Sequence, residues 1–265
     1  MVDSNDLTAT LYFAAAVRAG ADSSLTRLLP LQFLKEPLSP HENFSQRILF
    51  ALQALGVIQP ELSLSNAEDW LTAKDWVDIG PQTLAWRICW SPGDCRERST
   101  MANALLSGIE PSENVLEALL DVWQDLALAE VVQYAAWALA KSGYNPKWAQ
   151  TATSSLREAL GIFSIAQVMH LVQLAMRSLT TTHQRGGVAS SRLGTVFADS
   201  LSYFARRAKL EKWTIRKVAR PMELPISAIA TLFAQEVTRL HDEYATRAPS
   251  TAALLDAMTR VRSVH

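Results

Sequence analysis

The amino-acid sequence predicts an all-α or predominantly α-helical fold, a multi-helix bundle with at most a small β element in its N-terminal part. Three observations predict it. Apolar side chains recur at i, i+3, i+4 and i+7 through most long segments, the period of a helix with one buried face. Three residue pairs stand at capping-box spacing: Ser39 with Glu42, Ser65 with Glu68 and Ser164 with Gln167. Gly56, Gly80 and Gly143 fall where the periodic patterns run out, as C-terminal glycines do.

Taken in order, the first helix opens at Asn5 or Asp6 and carries Leu7, Leu11, Ala14 and Ala15, with Gly20 placed for a left-handed stop. A short apolar element follows from Leu25 to Leu34, interrupted by Pro30. Ser39, Pro40 and Glu42 then start a helix striped by Phe44, Ile48, Ala51, Leu52 and Leu55. Ser65 opens another, which ends at Gly80. Residues 83–90 alternate as a strand does, yet Leu84 with Ile88 and Trp86 with Trp90 also suit a helix, so both readings stand. The 91–94 run Ser-Pro-Gly-Asp is a turn. A pattern from Pro111 to Lys141 exceeds the usual globular helix, and a break inside it is expected. Asn145 with Pro146, then Ser164, open the next two helices, and His183 to Gly187 connects to a stripe of Leu193, Phe197, Leu201, Phe204 and Ala208. The chain should turn at 210–214, resume a short helix from Ile215 to Ala219, and form two more helices after Pro225 and Ser250.

These elements suggest an N-terminal, mainly helical domain over 1–100, a helical domain with a basic region over 101–248, and a short helix or tail over 249–265. With 49% hydrophobic and 19% charged residues, the chain is not a disordered polypeptide. Asp125, Glu130, Gln133, Gln167, His170 and Arg177 break its most apolar stretches, so no membrane span is expected. The opening residues lack the basic start and apolar run of a secretory signal. Cys89 and Cys95 are expected to be free thiols in a reducing, cytoplasmic setting.

The net charge of −1 conceals a strong asymmetry. Residues 1–80 hold five basic and ten acidic side chains, whereas residues 177–220 hold ten basic and two acidic, a local +8. Within the latter, Arg206, Arg207, Lys209, Lys212, Arg216, Lys217 and Arg220 face only Glu211, and Trp213 lies among them. Helical spacing would put Arg206 beside Lys209 and Arg216 beside Arg220, so that cations meet successive phosphates while the tryptophan stacks on a base. An acidic protein surface would answer the same charges, and so would solvent or the acidic half of the chain.

Glu130 and Gln133 sit in an otherwise apolar run, and a buried carboxylate needs a partner. A polar helix edge or a salt bridge to an arginine of the basic region is one expectation, and a ligand pocket, a buried polar site with His170, is the other. No phosphate loop, dinucleotide fingerprint, nucleophile elbow or His-Glu-x-x-His pair occurs. No catalytic residue, metal ligand or cofactor is therefore assigned, although an enzyme with an unfamiliar helical site remains a third reading. Two DNA-binding arrangements have partial support. Ala219, Leu224, Ile229 and Leu232 have nearly helix-turn-helix spacing, but Pro221 interrupts the first helix. Phe44 to Leu55 leading into Val57 to Leu64 is winged-helix-like, with His41 and Arg47 as the recognition helix's candidate cations. The sequence thus points first to a nucleic-acid-associated, regulatory helical protein binding DNA or RNA. The alternative is a protein-interaction or scaffold module for an acidic partner. Neither reading fixes an oligomeric state.

Overall fold

The computed structural model describes residues 4–61, 82–89, 97, 100, 103, 104, 106, 108–186 and 188–260. Helix dominates them, as predicted, and one small antiparallel sheet lies near the N-terminus. The capping box at Ser65, the helix ending at Gly80, the 91–94 turn and Cys95 lie outside the described residues. The chain forms two compact units that do not follow chain order. One is built from Met1–Leu119, Pro225–Arg239 and Ala257–His265, the other from Leu120–Leu224 and Leu240–Asp256.

In the first unit, α1 (Ser4–Gly20) buries Leu7, Leu11, Ala15 and Ala19 along one stripe. Gly20 is not the left-handed stop that its position suggests. A Cβ there would come within 2.2 Å of Leu34 Cδ2, so the glycine serves close packing. After β1 (Arg27–Leu28) and a 3-10 turn at Leu31–Phe33, α2 runs from Glu42 to Ala54. Its cap is His41, whose Nδ1 accepts the Asn43 N–H at 3.2 Å. Ser39, expected as the cap, instead donates to the His41 carbonyl at 2.7 Å and pairs with the Ser45 hydroxyl.

At the end of α2, Gly56 has φ +69, and Val57 N–H reaches back to the Leu52 carbonyl, the six-residue closure of a glycine-stopped helix. The strands β2 (Ile58–Glu61) and β3 (Ala85–Ile88) follow, which decides the 83–90 ambiguity in favour of a strand. Sheet order is β1-β3-β2, antiparallel throughout. Leu28, Ile58, Trp86 and Ile88 are buried, and Arg27, Gln59 and Arg87 point outward.

The single helix expected after Pro225 is instead α8 (Ala228–Thr231), followed by a π-helical turn at Leu232–Val237. Its amides reach across to residues 37 and 38, with Ala228 N–H donating to the Pro37 carbonyl at 2.8 Å. No helix precedes Pro225 there, so the helix-turn-helix spacing at 219–232 does not form one.

The second unit holds most of α3 (Glu113–Lys141), which is unbroken, contrary to expectation, and closes at Gly143 with φ +77. It also contains α4 (Trp148–Thr151), α5 (Thr153–Leu160), α6 (Ile165–Arg185), α7 (Leu193–Leu210) and α9 (Glu243–Thr246). The Ser164–Gln167 capping box at the start of α6 forms in full. α6 packs along α7, and Val168, Val172, Ala175 and Leu179 of α6 and Phe197, Leu201, Ala205 and Ala208 of α7 are all buried. Gly194 lets α7 approach closely, since a Cβ there would lie 2.8 Å from the Trp148 ring. Helix α10 (Thr251–Arg260) runs from Pro249 and Ser250 as expected. No described helix is long and apolar enough to cross a membrane.

Candidate nucleic-acid interface

The basic region straddles the end of α7. Lys212 is left-handed at φ +52, its N–H bonds to the Lys209 carbonyl, and Trp213 N–H bonds to the Ala208 carbonyl. This is the same closure as at Gly56, made here without glycine. Beyond it, residues 213–220 form no helix, so the expected helix at 215–219 is absent and Arg216 and Arg220 do not share a helical face. The cause is visible in the hydrogen bonding. Val218 N–H donates to the Ala166 carbonyl at the start of α6, and Arg220 is drawn into the unit's interior.

Arg220 is the arginine that Glu130 needs. Its Nη1 pairs with Glu130 Oε2, its Nη2 donates to Gln133 Oε1 at 2.7 Å, and its Nε donates to the Leu224 carbonyl at 2.9 Å. The side chains of Arg220 and Glu130 are 20% and 3% exposed, so this pair is a strut rather than a phosphate contact. Tyr244 stacks on Trp123 nearby, and Trp123 Nε1 donates to the Tyr244 carbonyl. Burial lowers the Arg220 pKa and raises that of the Tyr244 phenol, while the guanidinium and phenol partly oppose those shifts. Glu130 and Gln133 therefore converge on Arg220. His170, half-buried on α6, has no hydrogen-bond partner at Nδ1 among the described residues.

Two further arginines are tied to carboxylates. Arg206 donates to Glu158 at 3.1 Å, and Arg207 donates to Glu211 at 2.8 Å and to the Tyr203 hydroxyl at 3.0 Å. These bonds raise both arginine pKa values and lower that of Glu211. Trp213 Nε1 also donates to Glu211, and the Arg207 guanidinium lies 5.5 Å from the Trp213 ring, covering it. Lys209, Lys212, Arg216 and Lys217 are exposed and make no ion pair among the described residues. Of seven candidate cations, four stay open to a ligand.

A second surface lies in the first unit. The outward side of α2 carries Asn43, Gln46, Arg47 and Phe50 at i, i+3, i+4 and i+7, opposite buried Phe44, Ile48 and Leu52. Gln46 donates to Glu42 at 3.1 Å, and the Arg47 guanidinium lies 5.3 Å from the Phe44 ring. On the sheet, register sets Arg27, Arg87 and Gln59 side by side across three strands. Arg87 donates to Gln59, and Arg27 pairs with Glu61 at 2.9 Å. Reasoning from charge alone finds Arg47 and passes over Asn43 and Gln46, although their spacing against the apolar stripe is readable. Nothing in the sequence shows the cross-strand row, because register depends on pairing.

No family model, curated protein or solved structure matches this chain. Among the described residues, no three His, Cys, Asp or Glu side chains converge where a metal ion could sit.

Proposed function

We propose that the protein binds nucleic acid, duplex DNA in particular, through its first unit in the manner of a winged helix. One observation carries this reading: the order of the described elements α1, β1, α2, β2, β3 combined with the sheet order β1-β3-β2. In that arrangement the helix before β2 is the one presented to DNA, and here α2 carries an outward polar row. A major groove about 12 Å wide admits such a helix, whereas the deep, narrow groove of RNA duplexes does not. Asn43 and Gln46 have the amide pattern that matches adenine, and Arg47 the fork that matches guanine. Among the described residues, the unit departs from the arrangement between β1 and α2. There it has only the 3-10 turn at Leu31–Phe33, and α8 donates to the backbone at residues 37 and 38 instead.

Fluorescence anisotropy with labelled duplex DNA of mixed sequence tests the proposal. Replacing Asn43, Gln46 and Arg47 together by Ala should weaken binding and remove any preference among duplex sequences, since each good base contact is worth ~1–3 kcal/mol of discrimination. Equal affinity of wild type and variant would remove α2 from the interface.

A further inference from the structure

We infer that the solvent face of α7 at its C-terminal end is a docking surface for an acidic protein segment that also presents an apolar side chain. This goes beyond the DNA proposal, and it concerns the other unit. Tyr203, Arg206, Arg207, Leu210 and Glu211 line an open groove of about 780 Å³. Leu210 is 80% exposed and Tyr203 is 54% exposed, an apolar centre that water covers in the free protein. The polar groups around it are held in place. Arg207 bridges the Tyr203 hydroxyl and Glu211, its guanidinium lies 5.9 Å and 5.5 Å from the Tyr203 and Trp213 rings, and Trp213 donates to the same carboxylate. Tyrosine, tryptophan and arginine dominate binding energy in protein interfaces, and groups ordered beforehand lose little entropy on binding.

Charge selects the partner's sign. Arg206 and Arg207 are offset by Glu158 and Glu211, and Lys209 and Lys212, exposed on either side of Leu210 and Glu211 in the chain, make no ion pair among the described residues. An acidic segment complements them, which speeds encounter and fixes orientation. The chemistry of the groove favours polypeptide over nucleic acid. Trp213 has a guanidinium over its ring and cannot offer that face to a base. Leu210 gains from an apolar side chain and nothing from a phosphate. Asp199 also lines the groove and repels a chain that carries a phosphate at every nucleotide, whereas a polypeptide can set its carboxylates against the lysines.

The test uses the full chain and a fluorescein-labelled synthetic peptide of repeated Glu-Glu-Leu, with Gln-Gln-Leu and Glu-only peptides and a mixed-sequence single-stranded oligonucleotide as comparisons. The Glu-Glu-Leu peptide should bind at least tenfold more tightly than either comparison peptide. That advantage should fall at least tenfold in a Leu210→Ser variant and in a Lys209→Ala, Lys212→Ala variant. These positions are exposed, and circular dichroism checks that both variants stay folded. Binding of the peptide that both variants leave unchanged would overturn the proposal, as would no binding at all. An oligonucleotide that binds more tightly than the peptide, and is released by the lysine variant alone, would assign the surface to nucleic acid. Duplex binding through α2 is read separately by the Asn43, Gln46, Arg47 variant, so either proposal can fail without the other.

Discussion

His41 caps α2 with a ring nitrogen rather than a hydroxyl or carboxylate, and that choice makes the helix start sensitive to pH. Burial lowers the His41 pKa from its ordinary 6.5, partly opposed by Glu42. The folded state therefore favours the neutral ring, the form whose Nδ1 accepts the Asn43 N–H. A depressed histidine contributes stability that is fully present above about pH 6.5 and is lost as pH falls through the lower folded value. Thermal unfolding followed from pH 7.5 to 5 should show an acid loss on the order of 1 kcal/mol, the usual worth of a cap. A His41→Asn variant, which caps without titrating, should lack this component, and an identical acid slope in both proteins would contradict it. Arg220 gives a larger effect. Changing it to Ala strands Glu130, 3% exposed, without its charge partner. Denaturant unfolding should register a loss of ~3–5 kcal/mol. An Arg206→Ala change breaks an exposed pair and should cost far less. Near-equal losses would mean that the buried pair is not the strut described.

At the scale of elements, helix ends show what a sequence displays and what it hides. Gly56 and Gly143 announce the stops of α2 and α3, and both are left-handed in the fold. The same closure after α7 is made by Lys212, at φ +52, where a side chain is strained by ~1–2 kcal/mol. Lys212→Gly should relieve this strain and raise stability by up to about 1 kcal/mol in chemical denaturation, because glycine's greater unfolded entropy takes back part of the gain. A destabilised variant would show that the lysine side chain contributes more than its backbone costs. The turn at 210–214 was legible from the loss of periodicity. The irregular path of 213–220 was not, since it depends on Val218 meeting Ala166 and on Arg220 meeting Glu130. Local signals also competed at α2. Ser39 and Glu42 have capping-box spacing, yet the Ser39 hydroxyl is used by Ser45 and the His41 carbonyl, and the helix starts later. Where apolar periodicity was long and unopposed, as in α6 and α7, the sequence was enough, whereas the break expected within α3 does not occur.

For the whole molecule, the helical class was legible and the grouping of segments was not, because the first unit recruits Pro225–Arg239 from far along the chain. The charge asymmetry drew attention to 206–220, where the fold then paired Arg206, Arg207 and Arg220 with carboxylates. Charge is legible in a sequence, but its pairing is a tertiary property. A salt titration of DNA binding tests most directly whether the first unit presents α2 to duplex DNA. The wild type should bind mixed-sequence duplex with log affinity falling linearly in log salt. An Arg47→Ala, Arg87→Ala variant should bind more weakly and show a shallower slope, by roughly 0.9 for each phosphate that the variant no longer neutralises. A wild-type protein that shows no duplex binding at low salt, or a variant with the same affinity and slope, would contradict the account.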